Sequence, residues 1–153
     1  MTANADVPDS SVNARKTTMA AVCRATTTEL AGLDAIAGDA VRVLRAPEIG
    51  LVMVRGRVGG DGAPFNLGEA TVTRAAVSLP DGVIGFGHVL GRDKDKARLA
   101  ALADALWQAP ATRDAVEALL RPVRERIAAE TALKRERAAA TRVDFFTMVR
   151  GDN

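Results

Sequence analysis

The spacing of apolar residues changes twice along the chain, and this change constrains the fold more than any other feature. Much of segment 41–90 alternates apolar with polar side chains, as Val54 does with Arg55. A period of two is typical of β-strands with one buried face. Segments 16–37 and 99–141 instead space apolar residues three or four apart, as α-helices do. We therefore expect a sheet in the middle of the chain, with helices covering one of its faces.

Four strands are predicted within the middle segment, joined by short turns. The turns are residues 47–50, the loop GGDGAP and the PDG turn at 80–82, which carry the glycine, proline and aspartate typical of turns. Consecutive strands joined in this way form an antiparallel meander. The predicted fold class is α+β: a four-stranded antiparallel sheet covered by helices, with small N-terminal helices and an extended apolar C-terminal tail.

Local signals define several helix ends. Thr26 and Glu29 have the spacing of a capping box, and Gly38 is suited to end the helix that follows. Asp93 or Asp95 is expected to cap the next long helix. Pro122 is expected to kink the last helix or divide it in two.

The chain divides into three predicted parts. Residues 1–14 form a disordered segment, 15–141 a single α+β domain, and 142–153 an extended docking tail. A chain end rich in apolar side chains needs something to bury them. The residues expected to dock are Val143, Phe145, Phe146, Met148, Val149 and Arg150. They can insert into a groove of a partner or fold back onto the chain's own sheet.

No catalytic residue and no metal ligand set is assigned within the chain. His88 is the only histidine, so this chain alone cannot supply a two-histidine metal site. It shares a strand face with apolar residues and is interpreted as a packed strand histidine. Gly85 and Gly87 are interpreted as sites of close packing against a neighbouring element. The single cysteine, Cys23, fits a reducing compartment and is expected on the inner face of a helix.

A cytoplasmic location without membrane contact is expected. The first residues lack the apolar stretch of a signal peptide, and no segment is apolar for long enough to span a bilayer.

Three basic residues are candidate phosphate contacts: Arg45 in a turn, and Arg92 and Lys94 where a strand leads into a helix. Main-chain N–H groups at a helix start favour anions. Simpler interpretations are a local pair of Arg45 with Glu48, and a capping carboxylate that occupies the helix donors.

The basic last helix raises an alternative function, a nucleic-acid-binding module. Its arginines alternate with glutamates and no aromatic residue lies among them, so a solvated or partner-facing helix is favoured and no nucleic-acid partner is expected.

Four segments of the chain resemble a known family: RAPEIGLVMVRGRVG, GEATVTRAAV, GFGHVLGRDKDKARLAALADAL and RVDFFTMVRGDN. From about Arg15 to Asn153 the chain resembles the G subunit (PhnG family) of the bacterial carbon–phosphorus lyase core complex of phosphonate catabolism. RAPE, VLGRDK and the closing VDFFTMVRGDN are its most specific parts. Where His88 stands, the family carries a large aromatic residue.

The resemblance implies a role as a non-catalytic or accessory subunit. Family members join the H, I and J subunits in a cytoplasmic complex with two copies of each, and act with the L protein. The complex transfers a phosphonate to the ribose C1 of MgATP and releases adenine, so it is a ribose 1-phosphonate 5-triphosphate synthase. MgATP is a substrate of the complex and the iron–sulfur cluster belongs to another subunit, so no cofactor is expected in this chain.

Overall fold

Helices and strands follow one another in the order αααβββαα in the computed structural model, which describes residues 10–142. Their bounds are α1 Ser10–Arg24, α2 Thr27–Leu30, α3 Gly32–Ala37, β1 Arg42–Arg57, β2 Pro64–Ser78, β3 Ile84–Leu90, α4 Lys94–Gln108 and α5 Pro110–Ala140. Helix α1 begins inside the stretch 1–14 that was expected to be disordered. The predicted docking residues of 143–153 lie outside the described residues.

The α+β class is confirmed, but the prediction of four strands is wrong. The described residues form a three-stranded antiparallel sheet in the order β1-β2-β3. The expected turn at 47–50 is part of β1: Arg45 pairs with Ala76 and Glu48 with Arg74, so β1 has one extra residue there. This is a β-bulge on an edge strand, where a proline without an N–H is tolerated. Pro47 therefore bends the strand without ending it.

The β1–β2 hairpin extends past the third strand. Strand β3 pairs only with Val72–Ser78, whereas β1 stays paired with β2 as far as Arg57 and Pro64. A short 3-10 turn, Val58–Gly60, closes the hairpin, with Gly59 and Gly60 at φ of 64° and 94°. Glycine adopts these left-handed angles at little cost. We call the two-stranded part, 51–71, the hairpin arm.

Helix α4 lies directly against one face of the sheet because β3 offers glycines there. A Cβ atom at Gly85 would overlap the carbonyl of Ala101 and the amide of Ala105, and one at Gly87 would overlap the carbonyl of Ala97. The prediction that these glycines allow close packing is confirmed. The resulting contact leaves α4 buried along most of its circumference.

The remaining helices cover α4 and complete the core. Val22 of α1, Leu30 of α2, Leu33 of α3 and Leu120 of α5 are fully buried in one apolar cluster with α4. Alanine, valine and leucine dominate this cluster, which matches a composition with only 3% aromatic residues. The core is thus closed on the helical side of the sheet.

The predicted helix ends are largely confirmed. The Thr26–Glu29 capping box is complete, Gly38 ends α3, and Asp93 is the cap of α4. Helix α5 continues through Pro122 without dividing. No helix among the described residues has both the length and the hydropathy to cross a membrane.

Candidate functional site

Among residues 10–142, no element covers the sheet face opposite α4, and this face carries apolar side chains. Alternation along β3 places Ile84, Phe86, His88 and Leu90 on this open face, while the residues between them face α4. Phe86 is 52% exposed and Leu90 79% exposed. Single exposed apolar side chains are common on protein surfaces, but a contiguous patch of them usually marks a binding surface.

His88 is not the packed histidine that the sequence predicted. Its strand neighbours Phe86 and Leu90 are exposed, and His88 is exposed with them. The prediction took an apolar strand face to be a buried face, but the glycine face of β3 is the one that α4 covers.

A groove of about 430 Å³ crosses the open face. Its apolar wall includes Leu44, Ile84 and Phe86, and its polar rim includes Arg45, Arg74 and His88. The groove therefore combines apolar area with positive charge, although no single sequence motif indicated that these residues meet.

Glu48 holds both rim arginines. Arg45 Nη1 donates to Glu48 Oε1 at 3.1 Å, and Arg74 Nε donates to the same oxygen at 2.7 Å. The predicted local pair of Arg45 with Glu48 is confirmed, and Arg74 joins it across the strands. All three side chains are about half exposed, so the network orients the rim more than it stabilises the fold.

The three candidate phosphate contacts do not meet. Arg92 and Lys94 are exposed at the start of α4, where Asp93 accepts the N–H of Lys96 at 2.9 Å. Arg45 lies level with Phe86 in the sheet, whereas Arg92 lies beyond the end of β3 at Leu90. At about 3.3 Å per strand residue, the four residues from Phe86 to Leu90 span about 13 Å, which separates the two arginines along the sheet.

The hairpin arm is a second exposed apolar surface. The exposed apolar side chains of the arm, each at least 42% exposed, are Leu51, Val52, Met53, Val58, Phe65 and Leu67. Two-stranded ribbons of this kind have little stability by themselves in water. The arm is suited to being covered by another polypeptide.

Two carboxylates, the buried Asp104 and the partly exposed Glu117, connect the helical layer, and no sequence pattern predicted their contacts. Asp104 is 2% exposed, binds Arg15 through both oxygens and accepts the N–H of Phe86. Glu117 accepts the Nε1–H of Trp107 at 2.7 Å and is also bound by Arg124. Arg15 and Asp104 are 89 positions apart, and Trp107 and Glu117 lie on different helices, so no local motif indicates these two contacts.

Burial and hydrogen bonding oppose each other at Glu117. Burial raises the pKa of its carboxyl group, but hydrogen bonds from Trp107, Thr18 and Arg124 outweigh it and hold the pKa below its ordinary value. Glu117 is therefore a charged structural group at neutral pH.

The basic last helix uses part of its charge internally. Arg126 donates to Glu29 from Nε at 2.8 Å and from Nη2 at 2.9 Å, which joins α5 to α2. Hydrogen bonds from Arg126 and from the Thr26 main chain lower the pKa of Glu29 to about 2. Arg126 also binds Glu130 one turn later.

The sequence predicts Cys23 on the inner face of its helix, but the residue lies at the border of that face and is exposed. Its Sγ donates to the carbonyl oxygen of His88 on β3 at 3.6 Å, so the thiol itself is partly buried. Partial burial raises the pKa of its thiol. Among residues 10–142, no group of three or more histidine, cysteine, aspartate or glutamate side chains is arranged to hold a metal ion.

An open apolar sheet face and an exposed apolar arm are features typical of the class of proteins that bind other polypeptides. Within that class, the chain belongs to the PhnG family: the family model described as "Phosphonate metabolism protein PhnG" matches residues 13–151. The chain is also similar to a Rhizobium meliloti (strain 1021) protein named alpha-D-ribose 1-methylphosphonate 5-triphosphate synthase subunit PhnG. The two are 54% identical over 147 residues, which cover 95% of this chain and 94% of the relative.

Proposed function

We propose that this chain is a subunit of an alpha-D-ribose 1-methylphosphonate 5-triphosphate synthase, the carbon–phosphorus lyase core complex. The observation that carries this proposal is the 54% identity to a subunit of that name, across nearly the whole of both chains. The complex would transfer a phosphonate to the ribose C1 of MgATP and release adenine, as a step in phosphonate catabolism.

The proposed role of this chain is accessory, through docking. Its open sheet face exposes Phe86 and Leu90, and its arm exposes Leu51 and Leu67, so association would remove apolar area from water. The tail 143–153 is proposed to add a further contact. Partners would be the H, I and J subunits, two copies of each, with the L protein acting on the assembly in the cytoplasm.

Genetic complementation tests the proposed function. Cells that lack this chain should fail to grow with methylphosphonate as sole phosphorus source and grow normally on inorganic phosphate. Extracts should release adenine from MgATP in the presence of methylphosphonate only when this chain is supplied. Normal growth and adenine release without the chain would contradict the proposal.

Deletion of 143–153 tests the tail. The shortened chain is expected to lose co-purification with the I subunit, because Phe145 and Phe146 are the aromatic side chains best suited to anchor an interface. Thr147→Ala is the matched control within the tail and should co-purify normally. Assembly of the shortened chain with normal stoichiometry would remove the docking role of the tail.

Arg92 and Lys94 are proposed to contribute phosphate contacts to a site shared with another subunit, because both are exposed beside the start of α4. The Arg92→Ala/Lys94→Ala double variant should raise the apparent KM for ATP and leave assembly intact. Unchanged kinetics would exclude this contribution. Arg45 serves as a comparison, since Glu48 already binds it.

A further inference from the structure

The two edges of the sheet differ in what covers them. Along β3, the carbonyl of Ile84 accepts a hydrogen bond from Gln108 at 3.0 Å, and the N–H of Phe86 donates to Asp104 at 2.9 Å. Within residues 10–142, strand β1 borders β2 alone. Among the described residues, no side chain forms a hydrogen bond with the main chain of β1. One edge is therefore capped by helix side chains, and the other is open.

The hydrogen bonds at the outer edge of β3 show which residues of β2 bond to β3 and which bond to β1. Because Ile84 and Phe86 direct main-chain groups away from β2, the residues that bond to β2 are the odd-numbered ones of β3. In the sheet register these pair with Thr73, Ala75 and Val77. The even-numbered residues of β2 consequently bond to β1.

The same alternation identifies the residues of β1 whose main-chain N–H and C=O groups point away from β2. The even-numbered residues of β2 pair with Glu48, Gly50, Val52 and Val54 in an uninterrupted register. The residues between them direct their N–H and C=O groups outwards, and these are Ile49, Leu51 and Met53. Unpaired main-chain groups in a row form a template for an added strand.

The side chains along this open edge are apolar in the middle. Ile49 is 46% exposed, Leu51 62% and Met53 52%. Natural edge strands that must stay single usually carry charges or a bulge at such positions. Here the only bulge between Arg45 and Val54 lies before Glu48, so the edge from Glu48 to Val54 remains regular.

Positive charge lies at both ends of the same strand. Arg42 precedes the apolar segment, and Arg55 and Arg57 follow it. No acidic side chain among residues 10–142 forms an ion pair with any of these three. Glu48, the only acid in β1, is already bound by Arg45 and Arg74. A complementary strand needs acidic residues at its ends.

We propose that the open edge of β1 binds an extended segment of a partner subunit by strand addition, and that this segment is apolar in its centre and acidic at its flanks. Main-chain hydrogen bonds to Ile49, Leu51 and Met53 hold it, and Arg42 and Arg55 select the acidic flanks. The inference rests on the proposed function, because it assumes that this chain works within a complex.

A second copy of this chain is a poorer occupant. The acidic group that it would bring to the edge is Glu48, which two arginines already bind. Arg42, Arg55 and Arg57 of both copies would stay unneutralised in a shared sheet, and like charges that face each other are destabilising. Charge complementarity therefore favours a different polypeptide.

Hydrogen exchange at single-residue resolution in the purified complex tests the pairing. The amides of Ile49, Leu51 and Met53 should exchange as slowly as those of Gly50 and Val52, which bond to β2. Without an added strand the outward amides would exchange at least about tenfold faster than their neighbours. The alternation provides an internal control, and alternating fast and slow amides within an intact complex would overturn the inference.

A photoreactive amino acid in place of Leu51 identifies the occupant. The expected product is a cross-link to a segment of another subunit with acidic residues on both sides of an apolar run. A cross-link to a second copy of this chain, or to its own residues 143–153, would overturn the inference. So would a cross-link to a partner segment that lacks acidic flanks.

Charge reversal tests the selection by arginine. The Arg42→Glu/Arg55→Glu variant should lower recovery of the complex at least about tenfold, in line with the loss of charge pairs at an interface. Lys16→Glu/Arg121→Glu makes the same change in net charge at exposed positions of α1 and α5 and should assemble normally. Equal recovery of both variants would contradict the arginine role, provided that circular dichroism shows both to be folded.

These outcomes separate the inference from the proposed function. If the unaltered chain never co-purifies with other subunits and cells grow on methylphosphonate without it, the proposed function fails. If the complex forms and releases adenine but the outward amides of β1 stay fast, only the strand addition fails.

Discussion

Arg15 and Asp104, 89 positions apart in the chain, form a two-point ion pair: Nε donates to Oδ1 and Nη2 to Oδ2, each at 2.7 Å. Asp104 also accepts the N–H of Phe86 on the edge of β3. One buried carboxylate therefore ties α1, α4 and the sheet together. It also covers part of the β3 edge, so β1 is the open edge of the sheet in the part of the chain that the structure describes.

Removal of this carboxylate is expected to destabilise the domain. Asp104→Ala should lower the free energy of unfolding by about 2 kcal/mol or more, because it leaves Arg15 and a strand N–H without their partner. Asp104→Asn keeps an acceptor for the N–H of Phe86 and should cost less. Denaturant unfolding followed by the fluorescence of Trp107, the only tryptophan, measures both.

Asp114→Ala is the control for these variants. Asp114 is exposed on α5, so its replacement should change stability by about 0.5 kcal/mol or less. If Asp104→Ala unfolds at the same denaturant concentration as Asp114→Ala, the carboxylate does not hold the fold together in the way described.

The contact of α4 with the sheet depends on Gly87. Gly87→Ala should destabilise the domain by about 1–3 kcal/mol, since the added methyl group overlaps main-chain atoms of Ala97 and Ala101 and one element must move. Gly50→Ala places the same methyl group in the same sheet with no atom within 4 Å, so it should be tolerated. Equal thermal midpoints for the two variants would argue against the close packing of α4.

The pair of Glu29 with Arg126 should make stability depend on pH in the acid range. The pKa of Glu29 is about 2 in the folded chain against an ordinary value of 4.5, so the unfolded chain binds more protons between these values. The stabilisation is complete above about pH 5 and is lost as the pH falls towards 2. Glu29→Gln keeps the capping box but cannot titrate.

The expected result is that the stability difference between the unaltered chain and Glu29→Gln narrows steadily from pH 5 to pH 2. Glu125→Gln is the matched control, because Glu125 is exposed and forms no ion pair with any residue between 10 and 142. A difference that stays constant over this range would show that the ion pair does not lower the pKa of Glu29.

The open sheet face should matter for assembly more than for folding. Leu90 is 79% exposed and Phe86 is 52% exposed, so Phe86→Ser/Leu90→Ser should leave the unfolding midpoint nearly unchanged. Loss of an aromatic anchor at an interface costs about 2 kcal/mol, so recovery of the complex should fall by more than about tenfold. Val12→Ser, at an exposed apolar site of α1, should assemble as the unaltered chain does.

Sequence reasoning performed best where the signal is local. The capping box of Thr26 and Glu29, the cap at Asp93 and the pair of Arg45 with Glu48 all lie within three residues, and all are present in the structure. The α+β class follows from the change in apolar spacing. Each of these features depends on residues that are close together in the sequence, so the sequence alone is enough to predict it.

The sequence did not predict the features that depend on how distant parts of the chain pack together. The sequence predicts a turn at Pro47 because it does not show that β1 lies at the edge of the sheet, where a bulge is tolerated. The apolar pattern predicts a buried face for His88 because it does not show that the covering helix packs on the glycine face of β3, and glycines carry no hydrophobic signal. The contact of Arg15 with Asp104 and the open edge of β1 follow only from how the elements assemble.

The central claim is that this chain works as a subunit of the synthase complex. The most direct test is to isolate the assembly from cells through a tag on this chain and to determine its composition. The account predicts a complex of fixed stoichiometry that contains the H, I and J subunits and releases adenine from MgATP when methylphosphonate is added. A lone monomer, with all of the adenine release found in fractions that lack this chain, would contradict it.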